Sequence, residues 1–418
     1  MLFLELLAIF VAAGICAAGL NHLALIPWRK KQATHWTEQA RTLYPIRKSA
    51  AANIWMIAIN SCLVFFVICS PQGNHLLLAA ISGYAGATLG TYFLDHELFP
   101  RFTFKAWLNY VLFSLGSRLL IWGGLLAMAI YMPDTFNATS LILGVIFFGF
   151  LVSWICWLWI WSLKLFKLLL PPPQRLADIV AAASKQSGLR YRFVWRLHSP
   201  IGYAAAVVTT GELIFSDGIL ETLSDEELAS VCAHELAHLA EPKSVILLRV
   251  LVGLWIYPLI FIKPAAIQYG PLAVIFLLLT AYLVVRIAQW QARRMEIRAD
   301  SVGKAQESQA GVYARALEKL YQFNQTPAVM PRENLAHPHL YDRIVAAGIT
   351  PNYPRPDKPE ASSWHGAMMQ FLLFLLIILA LARLATPKHE DSQPNPTEST
   401  HYSGPQSKQP LYWPETLR

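Results

Sequence analysis

Long apolar runs separated by short polar segments dominate the pattern of this chain. A helix that crosses a bilayer needs roughly 20 mainly apolar residues. Eight runs approach that length: 2–25, 53–69, 75–94, 107–132, 139–161, 244–262, 271–290 and 368–385. The pattern predicts a mainly α protein, a polytopic membrane helix bundle of about eight spans.

Two longer polar stretches, 171–243 and 291–360, interrupt the apolar pattern, and the sixth and seventh spans separate them. The first predicts a helix over 176–187, a strand in the alternating segment 190–197, and a hairpin of 206–210 and 212–216 that turns at Gly211. The polar stretches therefore predict a small α+β segment. The expected organisation is a five-span region, a first α+β segment, two spans, a second polar segment, a last span and a disordered tail: 1–170, 171–243, 244–290, 291–360, 361–386 and 387–418.

The composition excludes an ordinary cytosolic enzyme. Of the 418 residues 55% are hydrophobic and only 14% are charged, and the mean hydropathy is +0.39. The net charge of +8 comes from basic residues spread among the loops, so no nucleic-acid partner is expected. The five cysteines form no CxxC pair and imply no disulfide framework.

The distribution of Lys and Arg predicts the orientation. Alternate loops hold 26 of these residues on one side and four on the other, so the positive-inside rule places both polar stretches in the cytoplasm and the N-terminus outside. The first run has no preceding Lys or Arg and is followed by Arg29-Lys30-Lys31, which indicates a retained anchor. Short loops and no C-terminal retention signal favour a bacterial inner membrane over the endoplasmic reticulum.

Two arginines, Arg118 and Arg249, fall deep within predicted spans. An unpaired charge in a membrane is costly, so each side chain is expected to face the bundle interior or a wet cavity. Two interpretations stay open, a charged water-filled chamber and a structural ion pair.

The motif His234-Glu235-Leu236-Ala237-His238 carries the candidate chemistry. A capping box that begins at Ser224 predicts a helix that continues until Pro242 and contains this motif. The HExxH spacing places the two imidazoles on one helix face, where both can bind one zinc ion. Glu235 is then placed to act on the water that the metal activates. Two unrelated surface histidines are the alternative.

A catalytic zinc site needs a third protein ligand and an open fourth position. The candidate ligand is Glu296, on the helix that follows the seventh span, and Asp300 lies one helical turn further along. Asp300 is expected to accept a hydrogen bond from a zinc-binding imidazole. Alone, an ExxxD pattern usually marks a solvated helix face, but two spans after an HExxH motif it is a strong candidate.

With these motifs the sequence resembles the integral-membrane gluzincin metallopeptidases, which include type I CAAX prenyl proteases and HtpX-type heat-shock proteases. The resemblance covers most of the chain and includes the two spans between the motifs and the five spans before them. It implies one zinc ion per chain.

A further match begins at His337-Pro338 and ends at Arg343-Ile344, although Leu335-Ala336 replaces the usual Ser-Thr. By resemblance, His337 and Arg343 lie near the scissile carbonyl as oxyanion donors; a helix-capping His and a surface Arg are the alternative.

The segment Ile201-Gly202-Tyr203-Ala204 stands where that family has Asn-Ala-Phe-Ala in a substrate-binding edge strand. By resemblance Tyr203 and Ala204 align the substrate. Main-chain pairing of this kind gives loose sequence specificity. An apolar turn that packs under the hairpin is the alternative.

The sequence thus predicts a zinc metalloendopeptidase that hydrolyses membrane-associated or misfolded proteins, in quality control or in CAAX-type processing. The expected partners are a peptide or protein substrate and the lipid bilayer. Two alternatives are the metallopeptidase module of a beta-lactam sensor-transducer and a catalytically inactive zinc-binding scaffold. The first requires a large extracellular domain, and the second requires four protein ligands around the zinc, of which three are found.

Overall fold

The fold is taken from a computed structural model, which describes residues 2–31, 34–69, 75–331, 338–361 and 363–385. The predicted disordered tail, 387–418, lies outside the described residues. The chain is a polytopic helical bundle that carries a small α+β domain.

The N-terminal region is almost entirely helical. Its α-helices are α1 (Leu2–Ala24), α2 (Ile26–Lys30), α3 (Trp36–Ile68), α4 (Leu76–Gly90), α5 (Tyr92–Leu98), α6 (Phe104–Arg118), α7 (Gly124–Tyr131), α8 (Ala138–Ser153) and α9 (Trp159–Leu165). Two π-helical segments, Leu119–Gly123 and Trp154–Leu158, connect α6 to α7 and α8 to α9.

Among the described residues, six helical stretches are long and apolar enough to cross a membrane, and they confirm six of the eight predicted spans. They are Leu2–Lys30, Trp36–Ile68, Leu76–Leu98, Ala138–Leu165, Lys243–Tyr269 and Pro271–Ala305. The fourth predicted span coincides with the continuous helical stretch from α6 to α7, and the eighth coincides with α18 (Trp364–Ala385). For these two segments, spanning stays a prediction.

Small residues bring α4 close to α1. A side chain at Gly86 would collide with the backbone of Phe10, and one at Gly90 would collide with Gly14 and Ala17. Glycine at these positions permits direct backbone contact, a common way to pack helices in a membrane.

The sixth predicted span is not one straight helix. It consists of α13 (Lys243–Gly253), a turn, a 3₁₀ segment (Tyr257–Phe261) and α14 (Ile262–Tyr269). Pro258 lies at the start of the 3₁₀ segment, where its missing N–H costs least. The next helix, α15 (Pro271–Ala305), is continuous and extends well beyond the predicted span.

The first polar stretch forms a small sheet and three helices. The strands are β1 (Leu169–Leu170), β2 (Phe193–Leu197), β3 (Ala204–Val207) and β4 (Glu212–Ser216); the helices are α10 (Gln174–Ser187), α11 (Asp217–Thr222) and α12 (Asp225–Leu239). The strand order is β1-β2-β4-β3, with β2 and β4 parallel and the other pairs antiparallel. The predicted hairpin is present, but β3 begins and ends earlier than predicted.

The central strand β4 is buried on both faces. Leu213 and Phe215 pack among residues of α10 and α12, whereas Ile214 packs against α9. Successive side chains of a strand point to opposite faces. The sheet is therefore held between α10 and α12 on one face and α9 on the other.

The second polar stretch completes the same domain. It contains α16 (Val312–Phe323) and α17 (Leu340–Ala346), and both pack with Trp36 and Ala40 at the start of α3. Helix α16 also contacts α12. The two polar stretches therefore come together in space although two membrane helices separate them in sequence.

Candidate metal centre

Helix α12 carries the HExxH motif and begins as its sequence predicts. The Ser224 hydroxyl accepts a hydrogen bond from the Glu227 N–H, and the Glu227 carboxylate accepts one from the Ser224 N–H. The helix packs on the sheet through Leu228, Cys232 and Leu236. Its other face holds the motif side chains.

His234, Glu235 and His238 are all buried. The two imidazole rings lie 4.9 Å apart at 86° to each other. Helix α15 crosses beside them and brings Glu296 to the same point. One carboxylate oxygen of Glu296 lies 3.6 Å from Nε2 of His234, and the other lies 3.5 Å from Nε2 of His238. The structure therefore gathers all three predicted metal ligands.

The donor set fits zinc. Ligand atoms of His234, His238 and Glu296 all lie within 4.8 Å of one another. Donors held about 2.0–2.2 Å from one tetrahedral zinc lie about 3.3–3.6 Å from each other, which matches the two nitrogen-to-oxygen distances. Two imidazoles and one carboxylate are also the ligands of a catalytic rather than a closed structural zinc site.

The opposite edge of the His234 ring faces Asp300 and Tyr313. Nδ1 of His234 lies 3.2 Å from Oδ1 of Asp300 and 2.8 Å from the Tyr313 hydroxyl. That hydroxyl donates to Asp300 at 2.6 Å. These contacts fix the ring so that Nε2 points towards Glu296, the arrangement in which a carboxylate orients a metal-binding histidine.

Arg343 lies behind Asp300 rather than on the surface. Its side chain is 7% exposed, and its guanidinium contacts both oxygens of Asp300 and the Tyr313 hydroxyl. Burial acts to lower the pKa of Arg343, but the neighbouring Tyr313 and Asp300 outweigh it and raise that pKa above its usual value. The guanidinium therefore stays charged and lies on the Nδ1 side of His234.

Two further features hold α15 against α12. Arg298 donates to the Ala237 carbonyl at 3.0 Å and pairs with the buried Glu241 carboxylate at 3.0 Å. A Cβ atom at Gly303 would lie 3.3 Å from Cβ of His234, so a glycine permits the close approach of the helices at the motif.

Strand β3 is an edge of the sheet and contacts α12. Tyr203 immediately precedes the strand and Ala204 begins it. The preceding loop is held by Asn324, which donates to the Gly202 carbonyl and accepts from the Gly202 N–H. Burial and the Glu235 carboxylate raise the pKa of Tyr203. The predicted substrate strand therefore runs beside the HExxH motif.

A cavity opens from the candidate metal centre towards the membrane helices. Its volume is about 360 Å³, and its lining includes His238, Glu296 and Arg249. Among the described residues Arg249 forms no ion pair, so the structure favours the wet-cavity interpretation for this residue. The side chain of Arg118 lies outside what the structure describes.

His337 also lies outside the described residues, so its predicted role stays a prediction. Pro338, the next residue, lines a cavity with Asp300, Tyr313 and Arg343. Sequence reasoning missed Tyr313, because a lone tyrosine in an amphipathic helix resembles any core residue.

Comparison with known proteins agrees with this geometry. The sequence model of peptidase family M48 matches residues 173–348, a range that includes every described residue of the site and of the cavity lining. Protease HtpX of Pseudomonas putida strain GB-1 is 27% identical over 256 residues, an alignment that covers 50% of this chain and 85% of that protein. The HtpX protease of P. putida strain KT2440 matches equally well.

Proposed function

We propose that this chain is a membrane metallopeptidase of family M48, a zinc endopeptidase that cleaves membrane-associated or misfolded proteins. The observation that carries the proposal is the convergence of His234, His238 and Glu296 around one point, with Glu235 buried beside them. The polar stretches 171–243 and 291–360 together form its catalytic unit.

In this proposal each motif residue has one role. His234, His238 and Glu296 would hold the zinc ion, and Asp300 orients His234 through Nδ1. When bound, zinc polarises the scissile carbonyl and lowers the pKa of the attacking water towards about 7. Glu235 accepts the proton of that water and then gives it to the amine of the leaving peptide.

Substrate is proposed to add to the free edge of β3. Within the hairpin, Ser216 donates to the Tyr203 carbonyl, and hydrogen-bonded pairs alternate along an antiparallel ladder. The N–H and C=O groups of Ala204 and Ala206 then point away from β4. These groups are placed to form main-chain hydrogen bonds with an extended peptide, whatever its side chains are. Such pairing suits damaged or unfolded substrates.

The proposed location is a bacterial inner membrane, with the active site on the cytosolic side. The distribution of Lys and Arg among the loops of the eight predicted spans supports this orientation. The similarity to the P. putida HtpX proteases supports the bacterial assignment.

The test compares detergent-purified wild type with Glu235→Gln. We expect both to bind about one zinc ion per chain, because Glu235 is not a ligand, and only wild type to cleave an unfolded substrate such as casein. A Glu226→Gln variant, altered in the first turn of the same helix, serves as the matched control and should cleave like wild type.

Zinc binding by both proteins without cleavage by either would favour the inactive scaffold. Equal cleavage by Glu235→Gln and wild type would exclude Glu235 as the base. The proposal also requires that His238→Ala reduces the zinc content.

A further inference from the structure

Arg249 is a charged residue inside a membrane-spanning stretch, and nothing in the proposed mechanism uses it. It lies on α13, within the candidate span Lys243–Tyr269. Among the described residues its guanidinium has neither a hydrogen bond nor an ion pair. A charge at such a position is costly and usually marks a functional contact or access to water.

The surroundings of Arg249 point to the active site. The cavity that it lines also exposes His238 and Glu296, two of the three candidate zinc ligands. The other lining residues come from α13, from Trp255 in the turn after it and from α15, and they are mostly apolar, with Gln289 and Gln291 as polar exceptions. A volume of about 360 Å³ is in the range of pockets that hold small organic ligands. The cavity is therefore a compartment next to the bond to be cleaved.

The charge of Arg249 also reaches the proposed substrate strand. At Tyr203, burial and Glu235 raise the pKa of the phenol, and the positive charge of Arg249 acts in the opposite direction. Tyr203 directly precedes β3. A peptide that pairs with β3 therefore lies beside Glu235 and close enough to Arg249 to be affected by its positive charge.

We propose that Arg249 is a specificity residue that binds a carboxylate of the substrate on one side of the scissile bond. This inference rests on the proposed peptidase function. A guanidinium can bind both oxygens of a carboxylate, and the largely apolar lining of this open cavity makes such a pair stronger than in water. The carboxylate is either the free C-terminus of a peptide or an acidic side chain near the cleaved bond.

The two sources can be distinguished with short quenched-fluorescence peptides built on one casein segment that the enzyme cleaves. The first peptide ends in a free carboxylate close to the cleaved bond, the second ends in an amide, and the third ends in an amide but carries Glu as its last residue. For wild type we expect kcat/KM of the first or third peptide to exceed that of the second by about tenfold or more. The preferred peptide identifies the source.

Arg249→Gln should bring the ratio of kcat/KM between the preferred peptide and the neutral peptide close to one, whereas Arg249→Lys should keep part of it. Lys243→Gln is the matched control, because it removes one positive charge from the same helix α13 outside the cavity lining. This control should preserve the wild-type ratio.

Binding gives a readout that does not depend on turnover. Fluorescence anisotropy of the same peptides on Glu235→Gln, with and without Arg249→Gln, should show the preference in Kd and its loss. Cleavage of casein with no preference among the peptides in either assay would overturn the role of Arg249 and leave the peptidase proposal intact. A preference for the carboxylate peptide that persists in the Arg249→Gln variant would also overturn the role of Arg249. No cleavage of casein by wild type contradicts the proposed function instead, and the anisotropy then decides the role of Arg249 alone.

Discussion

Arg343 contacts both carboxylate oxygens of Asp300, with Nε 2.8 Å from one oxygen and Nη2 2.5 Å from the other. Because Asp300 in turn contacts Nδ1 of His234, the guanidinium acts on the ligand ring from the side opposite Glu296. This arrangement favours a positioning role for Arg343 over the oxyanion role that the family resemblance implies.

The two roles of Arg343 predict different kinetics for Arg343→Lys. Lysine keeps the charge but loses the two-point contact with Asp300, so we expect zinc affinity to fall by about 10–100-fold and kcat at saturating zinc to recover. Zinc titration with activity as the readout checks this. Arg355→Lys is the control, because Arg355 pairs with Asp342 in a more exposed position. An oxyanion donor would instead leave zinc affinity unchanged and lower kcat at saturating zinc by about 10²–10³-fold.

Gly303 predicts a steric effect at the metal centre. In Gly303→Ala the new Cβ atom would lie 3.0 Å from the Tyr313 ring and 3.3 Å from Cβ of His234. Neither neighbour can move freely, so we expect a loss of about 1–3 kcal/mol in stability and weaker zinc binding. Thermal unfolding with and without zinc measures both effects. Gly149→Ala, where no atom lies within 4 Å, should show neither loss.

The environment of Glu227 leads us to expect that the peptidase domain loses stability as the pH becomes acidic. Burial acts to raise its pKa, but Lys319, at 2.7 Å, and the hydrogen bonds with Ser224 outweigh burial and lower it. A carboxylate whose pKa is lower in the folded state stabilises the fold above its unfolded pKa of about 4.3. That stabilisation is lost as the pH falls through the folded pKa.

We therefore expect Glu227→Gln to lower the melting temperature at pH 7 and to weaken its dependence on pH below about pH 4.3. Lys319→Met leaves the buried Glu227 carboxylate without its cationic partner, so it too should lower the melting temperature at pH 7. Melting curves followed by tryptophan fluorescence between neutral and acidic pH provide the measurement. A pH dependence in Glu227→Gln as steep as in wild type contradicts the assignment.

The free edge of β3 predicts which substrate amides matter. N-methylation of a substrate residue removes a donor, so methylation at residues that pair with Ala204 or Ala206 should raise KM by about tenfold for each lost bond. Methylation at the alternate residues, whose N–H groups point away from the strand, should change KM little. A series of singly methylated peptides measures this periodicity, and an equal effect at every position argues against strand addition.

The sequence by itself determined the features that depend on neighbours along the chain. Apolar runs predicted six helices that are long and apolar enough to cross a membrane, the capping box predicted the start of the motif helix, and the spacing of four residues put His234 and His238 on one face. The same spacing put Glu296 and Asp300 on one face of α15. Such relations follow from the geometry of a helix and do not depend on what packs against it.

Only the tertiary structure decided the relations between distant positions. Tyr313 and His234 are 79 residues apart, and Arg343 and Asp300 are 43 apart; neither pair has a sequence signal. The exposure of β3 at the sheet edge and the opening of the Arg249 cavity onto the metal centre likewise depend on how helices and strands pack. Packing is a property of the whole domain, because each contact is set by side chains that several elements contribute together.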